Sequence, residues 1–246
     1  MNIKAIKTGR IVPNHEKLTT ILDRYISGFS EQSILVITSK IISICEGRVV
    51  KVGTTSKTAL VEKEAEMVLP SKNALFDITL TIKNNILIPT AGIDESNGDG
   101  YYILWPSDPQ KSANNIRKYL CERFSLKLVG VLVTDSKTTP LRWGTTGTSL
   151  AQSGFVALNN YIGKPDIFGR KLEVTKANIA DGLAAAAVVV MGEGKEQTPL
   201  AIITEVPFVK FQMRNPTGEE IRKRTIAMKD DLYAPLLTSA MWKKMK

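Results

Sequence analysis

Three carboxylates occupy positions where a fold has little structural use for an acidic side chain. Asp94 lies in the segment Ala91–Asn97 (AGIDESN), Asp135 follows an apolar run, and Glu193 stands between two glycines. Small neighbours let a ligand approach the backbone, and the end of a buried strand often carries catalytic groups in open sheets. Mg²⁺ and Mn²⁺ bind such oxygen ligands, with phosphate and water completing the shell. These carboxylates and the Ser136 hydroxyl are therefore predicted to bind divalent metal ions.

Each of these residues also has an ordinary structural explanation. Asp94 and Asp135 could be the turn or cap aspartates that loops commonly contain, and Glu193 could be a solvent-exposed turn residue. The pattern of residue types leaves both interpretations open, and no single position decides between them.

Several common chemistries are not expected from this sequence. It contains one histidine, His15, so catalytic triads that need histidine and zinc sites of His and Cys are disfavoured. The segment Gly53–Thr58 (GTTSKT) resembles a phosphate-binding loop but lacks the second glycine of that motif. No G-x-G-x-x-G follows a strand, which argues against a Rossmann dinucleotide site.

The formal net charge of +9 raises the question of a nucleic-acid partner. The positive charges are scattered, and the one dense basic cluster is Lys243–Lys246 (KKMK). Aromatic residues make up only 7% of the chain, and no stacking motif or basic helix is present. We therefore expect no nucleic-acid partner, although part of the charge could serve anionic small molecules.

Cysteine usage and hydrophobicity indicate a cytoplasmic protein. Cys45 and Cys121 lie far apart and are expected to be reduced thiols. No apolar run approaches the roughly 18 residues of a membrane-spanning helix. The first ten residues show no secretory signal, so no membrane partner is expected.

The strands that would position the candidate residues follow from apolar runs of strand length. These runs are Ser33–Thr38 (SILVIT), Val129–Val133, Leu200–Val206, and two segments on either side of the Asp94 loop, Asn85–Pro89 and Gly100–Pro106. The stretch Ser136–Ser153 is rich in Thr, Ser and Gly and is predicted to be a long functional loop.

Helices are predicted from end signals and periodicity. Asn14 is expected to cap a helix that runs to about Gly28, and Asp108 with Pro109 begins another. Thr217 with Glu220 forms a capping-box pattern. Two further segments are Lys57–Val68, a surface helix or loop, and Asn178–Met191, an alanine-rich helix that is apolar nearly all round and should sit deep. The mixed order of elements indicates an α+β fold, treated as one unit over residues 1–246 with two subdomains as an open alternative.

With these stretches in view, the chain resembles the CofE family, the γ-glutamyl ligases of the deazaflavin coenzyme F420. The similarity covers most of the chain up to about Val206. It is strongest in six segments that follow one another in the family's order: Ser39–Arg48 (SKIISICEGR), Ala91–Asn97 (AGIDESN), Asp108–Arg117, Val131–Gly144, Tyr161–Leu172 (YIGKPDIFGRKL) and Ala180–Gly194 (ADGLAAAAVVVMGEG). The resemblance implies mixed sheets with packed helices and an intertwined, butterfly-like homodimer.

The resemblance also implies an amide ligation that uses L-glutamate, a nucleoside triphosphate and two divalent cations, Mg²⁺ or Mn²⁺. GTP is the usual donor, with ATP as the alternative. Asp94 and Asp135 would hold the first metal, and Ser136 and Glu193 the second. Ser39 and Asn97 would contact the nucleotide. Its pocket would be lined by Gly9, Arg10, Ile11 and Val12 and by Met191, Gly192, Glu193, Gly194, Lys195, Glu196, Gln197 and Thr198.

The implied chemistry suits these residue types. A carboxylate becomes reactive toward an amine once it is phosphorylated, and phosphoryl transfer needs positioning and charge neutralisation more than covalent catalysis. Lys40 and Arg142 are the candidates for holding phosphate or carboxylate oxygens, and a surface ion pair is the alternative for each.

Two departures from the family pattern bear on the acceptor. Ile44 stands where the family usually has lysine, and Asp135–Arg142 reads DSKTTPLR, so the first of two usual arginines is Thr139. A bacterial branch of CofE-like proteins thought to act in folate metabolism is similar in the same stretches. Dihydropteroate or a folate is therefore the expected acceptor. The alternatives are the deazaflavin carboxylate and a non-catalytic protein that binds nucleotide or metal.

Overall fold

The fold is described from a computed structural model that covers residues 1–13, 16–70, 76 and 78–245. The strands, in chain order, are β1 (Asn2–Ile6), β2 (Ser33–Thr38), β3 (Val49–Lys51), β4 (Met67–Leu69), β5 (Leu80–Lys83), β6 (Ile86–Pro89), β7 (Tyr101–Ile103), β8 (Val129–Thr138), β9 (Thr145–Ser153), β10 (Leu158–Asn160), β11 (Lys176–Asn178), β12 (Leu200–Thr204) and β13 (Lys243–Lys244). The helices are α1 (Leu18–Tyr25), α2 (Ser39–Cys45), α3 (Lys57–Glu64), α4 (Pro109–Phe124), α5 (Ile179–Met191), α6 (Gly218–Arg222) and α7 (Ala234–Leu237).

A five-stranded mixed sheet with the order β1-β12-β2-β8-β9 forms the centre of the structure. Strands β2 and β8 run parallel, and the other neighbours are antiparallel. Five of the six β2 residues are buried, because helices cover both faces of this central strand. That burial explains why β2 is apolar throughout and does not alternate.

Helices pack on both faces of the sheet and build two apolar cores. On one face α1, α2 and α4 contribute residues such as Ile21, Ile42 and Leu120, which cluster with Val131 of β8. On the other face α5 packs its alanines against Leu132 and β12. Small side chains let α5 come close to β9: a Cβ on Gly147 would lie 2.3 Å from the Ala184 carbonyl oxygen.

A smaller layer stands beside the central sheet and carries the Asp94 loop. It contains the sheet β13-β4-β5-β6 and the ribbon β3-β7, with α3 packed against them. Between β6 and β7 the chain makes a short 3₁₀ turn at Thr90–Gly92 and then bridges Asp94 to Ile103. The separate sheets and interleaved helices confirm the predicted α+β class.

Most predicted elements are confirmed. β2 and the start of α4 match, since Asp108 caps α4 by accepting from the Lys111 amide. The Thr217–Glu220 capping box is also present. The helix predicted to begin at Asn14 exists as α1, but Asn14 lies outside the described residues. That residues 1–246 form one ligase unit stays a prediction.

Two predictions about elements are wrong. Ser136–Ser153 is not a long loop, because β8 continues to Thr138 and β9 begins at Thr145. Threonine and serine on these strands pair in an antiparallel ladder, which β-branched residues favour. The helix α5 is not buried all round, since Val189 is 83% exposed. Among the described residues, no helix has the length and apolarity needed to cross a membrane.

Candidate functional site

A cavity of about 810 Å³ opens where the pairing of β2 with β8 ends. This parallel pairing brings Thr38 and Thr134 side by side, so the residues that follow these two threonines, at the start of α2 and in the last part of β8, share one edge. The segment after α5, the segment after β1 and the loop between β6 and β7 complete the walls. This edge of a parallel strand pair is where open α/β sheets commonly bind ligands.

The cavity brings together most of the residues predicted from sequence. Lining residues from those predictions are Gly9, Arg10, Ile11, Val12, Lys40, Asp94, Asn97, Asp135, Ser136, Met191, Gly192, Glu193, Gly194, Lys195, Glu196, Gln197 and Thr198. Segments almost two hundred residues apart in sequence therefore meet in one place.

Two predicted residues lie outside this lining. Ser39 is buried at the start of α2, one residue before Lys40, and its contact with the nucleotide stays a prediction. Arg142 lies on the tip of the β8–β9 hairpin, where its neighbours Leu141 and Trp143 are almost fully exposed. The structure does not bring Arg142 to the other site residues, and its proposed contact with phosphate or carboxylate stays a prediction.

Asp94 is held by a lysine and by its own loop. Lys40 Nζ lies 2.6 Å from Asp94 Oδ2 and also donates to the Ser96 carbonyl at 2.8 Å. The Ser96 amide donates to Asp94 Oδ1 at 2.8 Å. Burial raises the pKa of the Asp94 carboxyl, but Lys40 and Ser96 outweigh that effect and bring the pKa below its ordinary value. Asp94 is therefore an anion in direct contact with a cation at the cavity wall.

Among the described residues Asp135 forms no ion pair of its own, although the positive charge of Lys40 also acts on it. A β-bulge between Val133 and Thr134 precedes it, and bulges of this kind redirect the side chains that follow. The Trp105 indole N–H donates to Asp135 Oδ2, and the Ser136 amide donates to Oδ1 at 2.9 Å. Burial raises the pKa of Asp135 to about 6 despite these two hydrogen bonds, and the negative charge of Asp94 adds to the rise.

A second oxygen pair connects β8 with the segment after α5. Ser136 Oγ donates to Glu193 Oε1 at 2.6 Å. Close by, the Asn97 side-chain amide donates to the Gly194 carbonyl at 3.0 Å, which ties the Asp94 loop to the same segment. Gly192 has a φ of 80°, a conformation that glycine adopts without strain. This turn places Glu193 beside β8.

The oxygen ligands fit divalent cations in two pairs. Among the described residues no group of three acidic, His or Cys side chains converges to hold a metal ion, so the three carboxylates do not form one protein cage. Asp94 with Asp135 and Ser136 with Glu193 are pairs of hard oxygen donors in the same cavity. Mg²⁺ and Mn²⁺ typically take few protein ligands and fill the shell with water and phosphate. A cation between Asp94 and Asp135 would also relieve the repulsion between these carboxylates.

Positive side chains surround these oxygen pairs. Arg10, Lys137 and Lys195 line the cavity, and no ion pair joins any of them to another described residue. Such a combination of uncompensated cations and carboxylates suits an anionic ligand that carries its own metal ions, as nucleoside triphosphates do.

Sequence reasoning missed two residues that matter for the site. Asp99 lines the cavity from the loop that carries Asp94, and only its place in an acidic glycine-flanked loop could have indicated it. Trp105 appears in the sequence analysis only within the predicted strand Gly100–Pro106, although it is 1% exposed and its indole N–H donates to Asp135. A tryptophan before a proline gives no sequence signal for such a contact, because its partner is thirty residues away.

Comparison with known proteins identifies the family. Residues 5–205 match the family described as F420-0:Gamma-glutamyl ligase. A "Coenzyme F420:L-glutamate ligase" of Methanococcus maripaludis (strain C6) is 34% identical over 242 residues, covering 91% of this chain and 95% of that protein. A protein of the same name from Methanocaldococcus jannaschii is 37% identical over 195 residues, covering 71% and 77%. One from Archaeoglobus fulgidus is 35% identical over 191 residues, covering 71% and 76%.

The match extends through every segment that lines the cavity, from Thr8 to Pro199. It ends at residue 205, close to the point at about Val206 where the sequence motifs stop. The chain therefore belongs to the F420-0:gamma-glutamyl ligase family, the CofE family that its motifs indicated, and is an amide-forming ligase.

Proposed function

We propose that this protein joins L-glutamate to the carboxylate of a deazaflavin of the coenzyme F420 type, using a nucleoside triphosphate and divalent cations. The observation that carries this proposal is the single cavity in which two oxygen pairs, Asp94 with Asp135 and Ser136 with Glu193, are flanked by lysine and arginine side chains. The names of the family and of its relatives support the deazaflavin as acceptor.

The nucleotide would lie between the segment after β1 and the segment after α5. Gly9–Val12 and Met191–Thr198 both line the cavity, and the Thr8 amide connects the two segments by donating to the Gln197 carbonyl at 2.8 Å. Lys195 and Arg10 supply positive charge for the phosphates. GTP is the donor that we expect, with ATP as the alternative.

The metal ions would neutralise charge on the phosphates and on the phosphoryl group in flight. Asp94 and Asp135 would hold one ion and Ser136 and Glu193 the other, with Mg²⁺ or Mn²⁺ as candidates. Lys40 stands 2.6 Å from Asp94. It can therefore release that carboxylate to a metal ion and pair with a phosphate oxygen in its place.

The reaction would proceed in two steps. An oxygen of the acceptor carboxylate attacks the γ-phosphorus, the bond from phosphorus to the bridging oxygen breaks, and nucleoside diphosphate leaves. The amine of glutamate then attacks the carbonyl carbon of the acyl phosphate, the carbon–oxygen bond breaks, inorganic phosphate leaves and the nitrogen loses a proton. Neither step requires a covalent bond to the protein, so the chemistry needs no histidine or cysteine nucleophile.

The pterin acceptors expected from sequence are the competing possibility. That expectation rested on the altered segment Lys137–Trp143, and the structure divides this segment: Lys137 and Thr138 line the cavity, whereas Leu141 and Trp143 stand on an exposed hairpin tip. The names of the relatives favour the deazaflavin and do not support a pterin. We therefore place the pterins second.

A ligation assay read by mass spectrometry tests the proposal. Purified protein is mixed with Mg²⁺ or Mn²⁺, GTP or ATP, L-glutamate and, in parallel, the deazaflavin precursor, dihydropteroate or tetrahydrofolate. We expect one added glutamyl residue on the deazaflavin. Product on a pterin alone would overturn the deazaflavin as acceptor and support dihydropteroate or a folate instead. Nucleotide binding without product on any acceptor would instead favour a non-catalytic binding protein.

The same purified protein tests the expected homodimer. Light scattering coupled to size-exclusion chromatography distinguishes a monomer of 27.1 kDa from a dimer.

A further inference from the structure

The side chain that orients Asp135 is a tryptophan, not a charged residue. Trp105 is almost completely buried, and its indole N–H donates to Asp135 Oδ2. An indole nitrogen can only donate a hydrogen bond, so Trp105 is the donor and Asp135 the acceptor. The Ser136 amide fixes the other oxygen. The two donors together set the plane of the carboxylate and leave its remaining lone pairs for a ligand in the cavity.

The indole ring itself is tightly positioned. Gly92, two residues before Asp94, has a φ of 71°, and a Cβ there would lie 2.1 Å from the indole nitrogen. The ring therefore packs directly against backbone. Lys83 Nζ lies 5.3 Å from the ring centroid, a distance typical of a cation–π contact. Gly92 and Lys83 therefore form a close-fitting slot around the Trp105 ring.

A partly buried ion-pair group lies beside this slot. Glu64 accepts from Lys83 at 2.8 Å and from Arg48 at 2.7 Å. Arg48 Nε also donates to the Trp105 carbonyl at 3.1 Å. The cations of this group are paired with Glu64, and Trp105 stands between them and Asp135. The two donors that orient Asp135, an indole N–H and a backbone amide, are both uncharged, so the cations of this group do not occupy the carboxylate oxygens that a metal ion would bind.

We infer that Trp105 is a positioning residue that holds Asp135 in the orientation in which this carboxylate accepts a divalent cation. The inference rests on the proposed function, because it assumes that Asp135 binds metal. Residues that orient a metal ligand through a hydrogen bond typically change metal affinity 10- to 100-fold when they are replaced.

The first test measures Mn²⁺ binding by electron paramagnetic resonance, without nucleotide or acceptor. Trp105→Phe keeps an aromatic ring and removes the donor, and Trp143→Phe makes the same change on the exposed hairpin tip. We expect Trp105→Phe to weaken Mn²⁺ binding about 10- to 100-fold, while Trp143→Phe binds like the wild type. Unchanged Mn²⁺ affinity in folded Trp105→Phe would overturn the inference.

A second measurement remains decisive if Trp105→Phe fails to fold. In a Trp143→Phe, Trp242→Phe background, benzothienylalanine replaces Trp105, so that sulfur takes the place of the N–H and the shape is kept. Loss of Mn²⁺ affinity with this analogue supports the inference, and retention contradicts it.

Nuclear magnetic resonance of the three tryptophan indole N–H groups gives an independent readout. The signal that disappears in Trp105→Phe should shift in the wild type when Mg²⁺ is added, because the carboxylate that accepts its hydrogen bond becomes a metal ligand. The Trp143 and Trp242 signals should stay in place. A stationary Trp105 signal under saturating Mg²⁺ would show that the metal does not engage Asp135.

These measurements separate the inference from the proposed function. Metal binding that depends on Trp105, together with no ligation of any acceptor, would leave the positioning role intact and remove the ligase chemistry. Ligation by Trp105→Phe at the wild-type rate and with the wild-type dependence on metal concentration would support the ligase function and contradict the positioning role of Trp105.

Discussion

At the scale of single residues, Asp135 and Lys40 carry the sharpest predictions. Asp135 is a buried carboxylate near the carboxylate of Asp94. Lys40 is the cation that forms an ion pair with Asp94. The two residues therefore have opposite relations to a metal ion: Asp135 would bind it, whereas Lys40 competes with it for Asp94.

Asp135→Asn removes one negative charge at nearly constant size. We expect ligation to fall by at least about 100-fold, because a metal ion loses its anionic ligand. The unfolding free energy should change by no more than about 1 kcal/mol. Mass-spectrometric ligation and thermal melting check both, with Asp230→Asn at an exposed position as the matched control. Full activity of Asp135→Asn would contradict the metal assignment.

Lys40→Met removes the ammonium that pairs with Asp94. Metal affinity without nucleotide should rise about fivefold, the equivalent of the roughly 1 kcal/mol that a partly exposed ion pair contributes. Ligation should fall about 100-fold, because a phosphate oxygen loses its cation. Calorimetry with Mg²⁺ and the ligation assay measure the two effects. Lys118→Met on the exposed face of α4 is the control, and a loss of metal affinity in Lys40→Met would refute the competition.

At the scale of elements, the hairpin β8–β9 and the helix α5 build two walls of the cavity together. Asp135 and Ser136 lie on β8, Glu193 follows α5, and the helix packs against both β8 and β9. The Ser136–Glu193 pair therefore depends on how closely α5 approaches β9. Gly147 on β9 is the position where this approach is tightest.

Two glycine substitutions on these elements should have opposite effects. A Cβ at Gly147 would lie 2.3 Å from the Ala184 carbonyl, whereas Gly182 in α5 has nothing within 4 Å of a Cβ. Gly147→Ala should destabilise the protein by about 1–3 kcal/mol through overpacking. Gly182→Ala should stabilise it by about 0.4–1 kcal/mol, because alanine restricts the unfolded chain. Urea unfolding of both variants measures this, and equal effects would mean that the packing is looser than described.

At the scale of the whole molecule, a partly buried ion-pair group joins α3 and β5 of the smaller layer to the segment between α2 and β3. Glu64 of α3 binds Lys83 of β5 and Arg48, which follows α2. Through the Trp105 carbonyl the same group contacts the segment that orients Asp135. Stability of the fold and geometry of the site therefore share one set of contacts.

Stability should depend on pH through Glu64. Burial alone raises the pKa of Glu64, but hydrogen bonds from Lys83 and Arg48 outweigh it and lower the pKa below its ordinary value. A carboxyl with a lowered folded-state pKa contributes stability above its unfolded pKa, about 4.3, and loses that contribution as the pH falls further. We expect the wild type to be about 1–3 kcal/mol more stable than Glu64→Gln at pH 7.

Chemical unfolding at pH 7 and near pH 3 measures this dependence. The difference between wild type and Glu64→Gln should shrink at the lower pH, because the stability that comes from the lowered pKa is lost as the pH falls below the unfolded pKa toward the folded one. Glu219→Gln removes an exposed pair with Lys223 and serves as the control, with no measurable change at either pH. A difference between wild type and Glu64→Gln that stays constant with pH would contradict the lowered pKa.

The sequence by itself determined the α+β class, the three carboxylates and, through the family resemblance, half of the residues that line the cavity. The carboxylates could be found because the Asp94 loop, the end of the apolar run before Asp135 and the Gly192–Gly194 turn each need particular small, polar or apolar residues within a short stretch. Buried strands such as Ser33–Thr38 reveal themselves by continuous apolar runs, and the starts of α4 and α6 by their capping residues. Features of this kind can be predicted because they depend only on residues that are close together in the sequence.

Only the tertiary structure decided the contacts between distant segments. Neighbouring residues do not show that Trp105 would donate to Asp135, that Lys40 would pair with Asp94, or that Arg142 would lie outside the cavity. The prediction of a loop for the Thr- and Ser-rich stretch Ser136–Ser153 was wrong because strand formation depends on which other segment the stretch pairs with. Exposure of Val189 on α5 likewise depends on what packs around the helix. Such properties belong to the assembled fold, because they follow from which surfaces meet.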